Sequence, residues 1–240
     1  MERKKLIEVV NVSKVYRIGG GNEFWALRDV SLEVCEKEFL AIMGPSGHGK
    51  TTLMNIIGLL DKPSFGKVLI DGIDTAKLND DQLSQLRNRK IGFVFQQYNL
   101  INRMSVLENI EVPLLLRGLP RSERVKLAIR ALEMAGGEKS WLYKKPNQLS
   151  GGQQQRVAIA RAIVGDPEII LADEPTGNLD TASSKIVMQT FSRLNVLGKT
   201  IVMVTHNPEV ALCSKRILYI RDGRISGEEV PDPTKCAFLK

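Results

Sequence analysis

The chain is poor in the residues that build metal centres and covalent scaffolds: its 240 residues include three cysteines and two histidines. Cys35, Cys213 and Cys236 lie far apart without metal-ligand spacing, and neither His48 nor His206 has a cysteine or acid at zinc-site spacing. A zinc site is therefore not expected, and the odd cysteine count predicts free thiols in a reducing compartment. Long apolar runs are missing too. Ile110 to Leu116 is short and carries Glu111 and Pro113, against the ~18–20 residues that a membrane-spanning helix needs. The opening Met1-Glu2-Arg3-Lys4-Lys5 leads into an alternating Leu6-Ile7-Glu8-Val9 stretch, with no apolar signal core and no small-residue cleavage site. An intracellular chain is expected. No repeat, Ser/Gly linker, low-complexity tract or heptad insertion divides the sequence.

What is present is ordinary for a soluble globular chain: 43% hydrophobic and 25% charged residues. The charge is 34 Lys+Arg minus 27 Asp+Glu, or +7. That balance suits a polyanionic ligand or an anionic surface but is too diffuse to name one.

Strands dominate the first ~90 residues. Phe39-Leu40-Ala41-Ile42-Met43 has the length and continuity of a buried strand, and Thr52 to Leu60 follows as a helix with Leu53, Ile56, Ile57 and Leu60 on one face. Val68 to Ile70 and Ile91 to Phe95 read as further strands. From Ser105 to Ala162 the pattern is helical. Ser105 and Glu108 have capping-box spacing, so a helix is expected from Val106, with Pro113 ending or kinking it. Val125, Ala128, Ile129, Leu132 and Ala135 follow helical spacing up to Gly136-Gly137. Strands at Ile169–Ala172 and Thr200–Val204 then flank a helix carrying Ile186, Val187, Thr190, Phe191 and Leu194. Arg221-Asp222-Gly223-Arg224 reads as a hairpin turn, and the last dozen residues, with Pro231 and Pro233, as a loose tail. Strands alternating with helices around a helical insertion predict an α/β parallel-sheet core with a helical subdomain.

The chemistry concentrates at strand ends. Gly44-Pro45-Ser46-Gly47-His48-Gly49-Lys50-Thr51 fits G-x-x-x-x-G-K-[ST] between a strand and a helix. Its glycines let backbone N–H groups curl around phosphate oxygens, and the helix aims its positive end at the same anion. Lys50 should reach the β- and γ-phosphates, and the Thr51 hydroxyl should hold Mg²⁺. Ile169-Ile170-Leu171-Ala172 ends in Asp173-Glu174. Asp173 suits the magnesium shell, and Glu174 is then free to orient or deprotonate an attacking water. His206 follows the strand ending at Val204, where a polar ring either senses the γ-phosphate or is a hydrogen-bonded surface group. Ser150-Gly151-Gly152 caps a second helix with exposed N–H groups, a second anion cradle. One nucleotide does not obviously need both, whereas two chains paired about a twofold axis could each close the other's site.

Leu149 to Gln153 resembles the signature sequence of ATP-binding cassette (ABC) ATPases, and the similarity extends from about Leu6 to Arg224. The resemblance implies a P-loop NTPase parallel-sheet core with an N-terminal antiparallel β region and an inserted helical subdomain. The lobes would be 1–97 with 163–226 for the core, 98–162 for the helical subdomain and 227–240 for the tail. It also implies site roles. Tyr16 would stack on adenine, and Gly44, Pro45, Ser46, Gly47, His48, Gly49, Lys50, Thr51 and Thr52 would hold the phosphates of ATP. Gln96 would touch Mg²⁺, with Thr51 and Asp173, or the lytic water. Ser150, Gly151, Gly152 and Gln153 would face the γ-phosphate bound by the opposite subunit, with Asp180 at the dimer seam. Glu174, His206, Gln96 and Lys50 would be catalytic. His48 stands where a small residue is usual, which predicts a pH-dependent nucleotide affinity.

Gly92 to Leu100 and Ala172 to Asp180 resemble the branch containing macrolide exporters and lipoprotein-release complexes. The implied partners are a second copy of the chain and an integral membrane permease, docked near Gln96–Arg103 and Leu114–Leu116 with Leu100 and Ile101 exposed. The chain would then sit at the cytoplasmic face of the membrane. Two rival readings are a soluble ATPase acting on nucleic acid or ribosomes, favoured only by the basic charge, and a nucleotide-gated adaptor, opposed by the intact Glu174. No nucleic-acid partner is expected, because one cassette lacks the basic-aromatic interleaving of single-strand binders.

Overall fold

The computed structural model describes residues 4–19 and 22–239. Met1 to Arg3, the head of the charged opening, and Lys240 at the end of the tail lie outside the described residues.

Two long strands, β1 (Lys5–Ile18) and β2 (Asn22–Cys35), pair antiparallel. β3 (Phe39–Met43) follows, then α1 (Lys50–Ile57), β4 (Phe65–Ile70) and the short β5 (Ile73–Asp74). Next come α2 (Asp80–Lys90), β6 (Ile91–Val94), α3 (Val106–Leu116), α4 (Arg121–Met134) and α5 (Gly151–Ile163). The chain continues through β7 (Ile169–Asp173), α6 (Thr181–Val196), β8 (Thr200–Thr205) and α7 (Pro208–Ala211) to the hairpin β9 (Arg216–Arg221) and β10 (Arg224–Glu229). The strands form an antiparallel sheet of order β2-β1-β4-β5 and a six-stranded sheet of order β10-β9-β3-β8-β7-β6. In the larger sheet only the β10–β9 pair is antiparallel. This is the α/β core with an N-terminal β region that the sequence predicts.

Alternation along β3 divides the interior. Leu40 and Ile42 point toward α1 and the antiparallel sheet, joining Leu53, Met54, Ile56 and Ile57. Phe39, Ala41 and Met43 point the other way, toward the core shared with α3, α4, α5 and α6. A strand covered on both faces must be apolar throughout, which is why the sequence shows a continuous run there.

Several expectations are corrected. α2 went unread because it buries only Leu83 and so has no apolar period, although Asn79 and Gln82 cap it reciprocally. α1 begins at Lys50 and ends at Ile57. α3 does not end at Pro113 but runs through it to Leu116, with Leu114 buried in the core at 1% exposure. The tail is neither loose nor thiol-bearing: Cys236 is bonded to Cys213, with Cα atoms 4.8 Å apart. Cys236 and Phe238 are buried with the α6 residues Val187 and Phe191 in one apolar cluster, an adjacency that spacing cannot reveal. Only Cys35 is free, half-buried in β2.

Candidate functional site

The strands β3, β7 and β8 are adjacent and parallel, so their carboxyl ends share one edge of the sheet, where ligands of such sheets bind. Three polar segments converge there. The Gly44–Thr51 loop leaves β3 and enters α1 through Gly49. Gly49 has φ 98, and a Cβ on it would meet the Ala26 carbonyl oxygen at 2.4 Å, so no other residue fits. No side chain caps α1 and its first turn has no acid, so its N–H groups face outward for an anion. Lys50 is 6% exposed and its Nζ donates to the Pro45 carbonyl at 2.8 Å, folding the ammonium over the loop.

Thr51 Oγ1 donates to Asp173 Oδ2 at 3.5 Å, joining the loop to the end of β7. Asp173 Oδ1 is buried without a partner. Burial pushes the Asp173 carboxyl up, and the neighbouring Glu174 charge adds to this, against the Thr51 hydrogen bond and Lys50. An orphaned buried carboxylate oxygen beside a hydroxyl is the donor set that a hard divalent cation would satisfy. Glu174 sits in the left-handed region at φ 45, held by its N–H to the Val204 carbonyl and by Gly177 N–H to its own carbonyl. This turn aims its carboxylate at His206, whose Nδ1 donates to Glu174 Oε1 at 2.7 Å. Gln96, beyond β6, lies against the same turn: a Cβ on Gly177 would meet Gln96 Nε2 at 2.8 Å.

Tyr16 lies on β1, its hydroxyl donating to Asp61 Oδ2 at 2.8 Å while Lys14 Nζ holds Asp61 Oδ1 at 2.6 Å. Burial and the Asp61 carboxylate raise the Tyr16 phenol. His48 turns toward the β9–β10 hairpin, where its Nδ1 accepts the Asp222 N–H at 2.9 Å.

Ser150 caps α5, accepting from Gln153 N–H, while Gln153 Oε1 accepts from Ser150 N–H. Gly151 and Gly152 open the first turn of α5, where a helix gives its N–H groups no intrahelical acceptor. A Cβ on Gly152 would meet Ser183 Oγ at 2.3 Å. Ser183 in turn donates through N–H and Oγ to the two carboxylate oxygens of Asp180, which lowers the Asp180 carboxyl. The first turn of α5 thus neighbours Tyr98, Asn178 and Ser183, none of them in the phosphate loop. Asp61 and Ser183 carry no sequence signal, because only tertiary contact connects them to the motifs, and Tyr98 lies in the Gly92–Leu100 segment without a role of its own there.

On another flank a cleft of about 1020 Å³ opens between α2, β6, α3 and α5. Its apolar lining includes Leu60, Pro113, Leu116 and the stacked rings of Phe93 and Phe95, 5.6 Å apart. Leu115 and Leu116 are exposed on α3 and Ile101 nearby, whereas Leu114 is buried and Leu100 packs partly buried against the core, contrary to its expected exposure.

A glycine-rich phosphate loop at the edge of a parallel sheet, beside paired acids on the adjoining strand end, defines a P-loop nucleoside triphosphatase. A family model described as ABC transporter matches residues 27–177. An ABC transporter ATP-binding protein of Thermotoga maritima is 53% identical, covering 94% of this chain and 96% of that protein. The cassette MJ0796 of Methanocaldococcus jannaschii, bound to ADP and Pi in a dimeric post-hydrolysis structure, superposes with TM-score 0.88 at 49% identity, covering 94% of this chain and 99% of that one. The macrolide export ATP-binding/permease protein MacB of Syntrophobacter fumaroxidans is 49% identical over 97% of this chain, which spans 33% of MacB. The chain belongs to the ABC transporter family. It is an ATP-binding, ATP-hydrolysing subunit, and no helix among its described residues is long and apolar enough to cross a membrane.

Proposed function

We propose that two copies of the chain close around two ATP molecules and drive a separate integral permease of the macrolide-export or lipoprotein-release type, at the cytoplasmic face of a membrane. The observation carrying this is the glycine pair Gly151–Gly152 opening α5, whose nearest neighbours are Tyr98, Asn178 and Ser183 and not the phosphate loop. Such a cradle is satisfied by a phosphate that a second copy presents. The dimeric MJ0796 cassette and the permease fused to the MacB relatives support both partners.

In this reading the Gly44–Thr52 segment wraps the phosphates, and Lys50 exchanges its Pro45 contact for phosphate oxygens. Thr51, Asp173 and Gln96 would hold Mg²⁺, whose charge would offset that of the triphosphate. Glu174, fixed by His206, orients a water in line with the γ-phosphorus and takes its proton. Tyr16 stacks on adenine, and Asp180 lies at the seam between copies. The cleft beside Leu116 and Ile101 receives a cytoplasmic segment of the permease.

Glu174→Gln tests the core of this proposal. The amide still accepts from His206 but cannot take a proton, so kcat should fall about 10²–10⁴-fold. Sedimentation should then show an ATP-stabilised dimer. Wild-type turnover, or a strictly monomeric variant at saturating ATP, rejects it.

A further inference from the structure

The net charge of the chain is concentrated in one lobe. Residues 98–162 carry eleven Lys and Arg against five Asp and Glu, which is +6 of the total +7. Several of these cations are engaged inside the lobe. Arg117 and Arg161 donate to neutral acceptors, Arg156 lies over the Trp141 ring at 4.9 Å, and Lys139 pairs with Glu133 at 3.0 Å. Four others gather at the start of α3. The Val106 and Leu107 N–H groups donate to the carbonyls of Lys144 and Leu142, which seats the Leu142–Lys145 loop against the first turn of α3. Asn109 bonds the backbone of Ile101 and Met104, which fixes the Arg103 turn against the same helix. Arg121, opening α4, and Lys145 both act on Glu108. Arg103, Arg121, Lys144 and Lys145 are exposed and make no ion pair among the described residues. Glu108 already accepts the N–H and the hydroxyl of Ser105 at 2.7 and 2.8 Å. Tyr143 stands in the same loop, 84% exposed. None of these residues lines the cleft beside Leu116.

We infer that this patch is a contact for an anionic membrane surface, with Arg103, Arg121, Lys144 and Lys145 toward lipid phosphates and the Tyr143 ring at headgroup depth. The inference goes beyond the permease docking, because the ligand is the bilayer itself. Charge complementarity selects it: a cytoplasmic leaflet is negatively charged and attracts clusters of Lys and Arg. Tyrosine suits the boundary because its ring is apolar while its hydroxyl stays wet. A single nucleic-acid strand takes stacking rings repeated along a basic groove, whereas this loop offers one exposed ring. The contact is weak and salt-sensitive by nature, so it orients a lobe that the permease already tethers instead of anchoring the chain by itself.

The test uses the full chain with vesicles of phosphatidylcholine alone or mixed equally with phosphatidylglycerol, and binding is followed by co-sedimentation at low and high salt. The chain should bind the anionic vesicles, leave them as salt rises and ignore the neutral ones. One lysine near such a surface is worth about fivefold in binding, so Lys144→Gln with Lys145→Gln should weaken it at least about tenfold. Lys144→Glu with Lys145→Glu should weaken it further. Lys67→Glu with Lys77→Glu, an equal charge change at exposed positions outside the lobe, should cost far less. In Tyr143→Trp the new indole should emit at shorter wavelength on anionic vesicles. No binding to anionic vesicles, equal binding to neutral ones, unchanged indole emission, or equal losses from the two glutamate pairs overturns the inference. So does salt-sensitive binding of DNA or RNA through Lys144 and Lys145 in place of vesicles, which would assign the patch to nucleic acid. Each of these outcomes leaves the permease docking untouched, since the membrane subunit is not in the assay.

Discussion

The bond between Cys213 and Cys236 gives a stability prediction whose size follows from the chain itself. The two cysteines are 23 residues apart in sequence. In the chain-entropy treatment, a loop of that length removes about 11 cal/mol/K from the unfolded ensemble, so the bond contributes about 3.4 kcal/mol at 25 °C. Cys236→Ser, or reduction by a dithiol, should lower the urea-unfolding free energy by about that amount. For a domain of this size the Tm should fall by about 7–14 °C. Phe238, 8% exposed beside the bond, should become accessible to protease in the reduced protein. Thiol titration in denaturant checks the premise: oxidised protein should show only Cys35, and reduced protein all three cysteines. Three thiols before reduction, or a stability change below about 1 kcal/mol, refutes the reasoning.

Other consequences are equally direct. Gly49→Ala places a Cβ 2.4 Å from the Ala26 carbonyl at φ 98, costing at least about 1–2 kcal/mol of stability and abolishing ATP binding by calorimetry; wild-type affinity contradicts the phosphate assignment. Tyr16→Ala should weaken ATP by about 1–3 kcal/mol, the worth of a base–aromatic stack. Tyr16→Phe, which keeps the ring and drops the hydroxyl's bonds to Asp61 and Thr52, should bind nearly normally; equal losses in both variants count against stacking. Asp71 is held below the usual carboxylate range, first by Lys4 and then by Lys90 at 2.8 Å. Its contribution is therefore complete above about pH 4, its ordinary titration range, and is lost as pH falls through its lower folded value. The urea midpoint should drop below about pH 4, with a shallower acid limb in Asp71→Asn; an identical limb in both proteins excludes this pair.

The strand ends were legible because the features marking them are local. A buried parallel strand must be continuously apolar, so Phe39–Met43 and Ile169–Ala172 announced the sheet, and the residues after them had to be its ligand edge. The Gly44–Thr51 spacing is likewise local, since a phosphate loop is contiguous. Features made by residues distant in sequence stayed hidden. α2 touches the core through Leu83 alone. The left-handed turn at Glu174 depends on a carbonyl of β8. Ser183 joins Asp180 to the α5 N-terminus only because α6 and α5 are packed side by side. Cys213 and Cys236 meet because Phe238 and its neighbours find an apolar seat on α6.

α5 makes contacts of consequence at both ends. Its cap is Ser150, and at its far end Arg161 grips the carbonyls of Tyr98 and Asn99, consecutive residues in the left-handed region at φ 60 and 48. Cap and guanidinium-bearing residue are about 16 Å apart along the axis, and the helix between them does not compress. One rigid element therefore links the glycine end to the backbone just after Gln96, where Asn99 lines the cleft beside α2 and α3. The helix is thus a single strut joining the capped glycine end to the opposite side of the lobe.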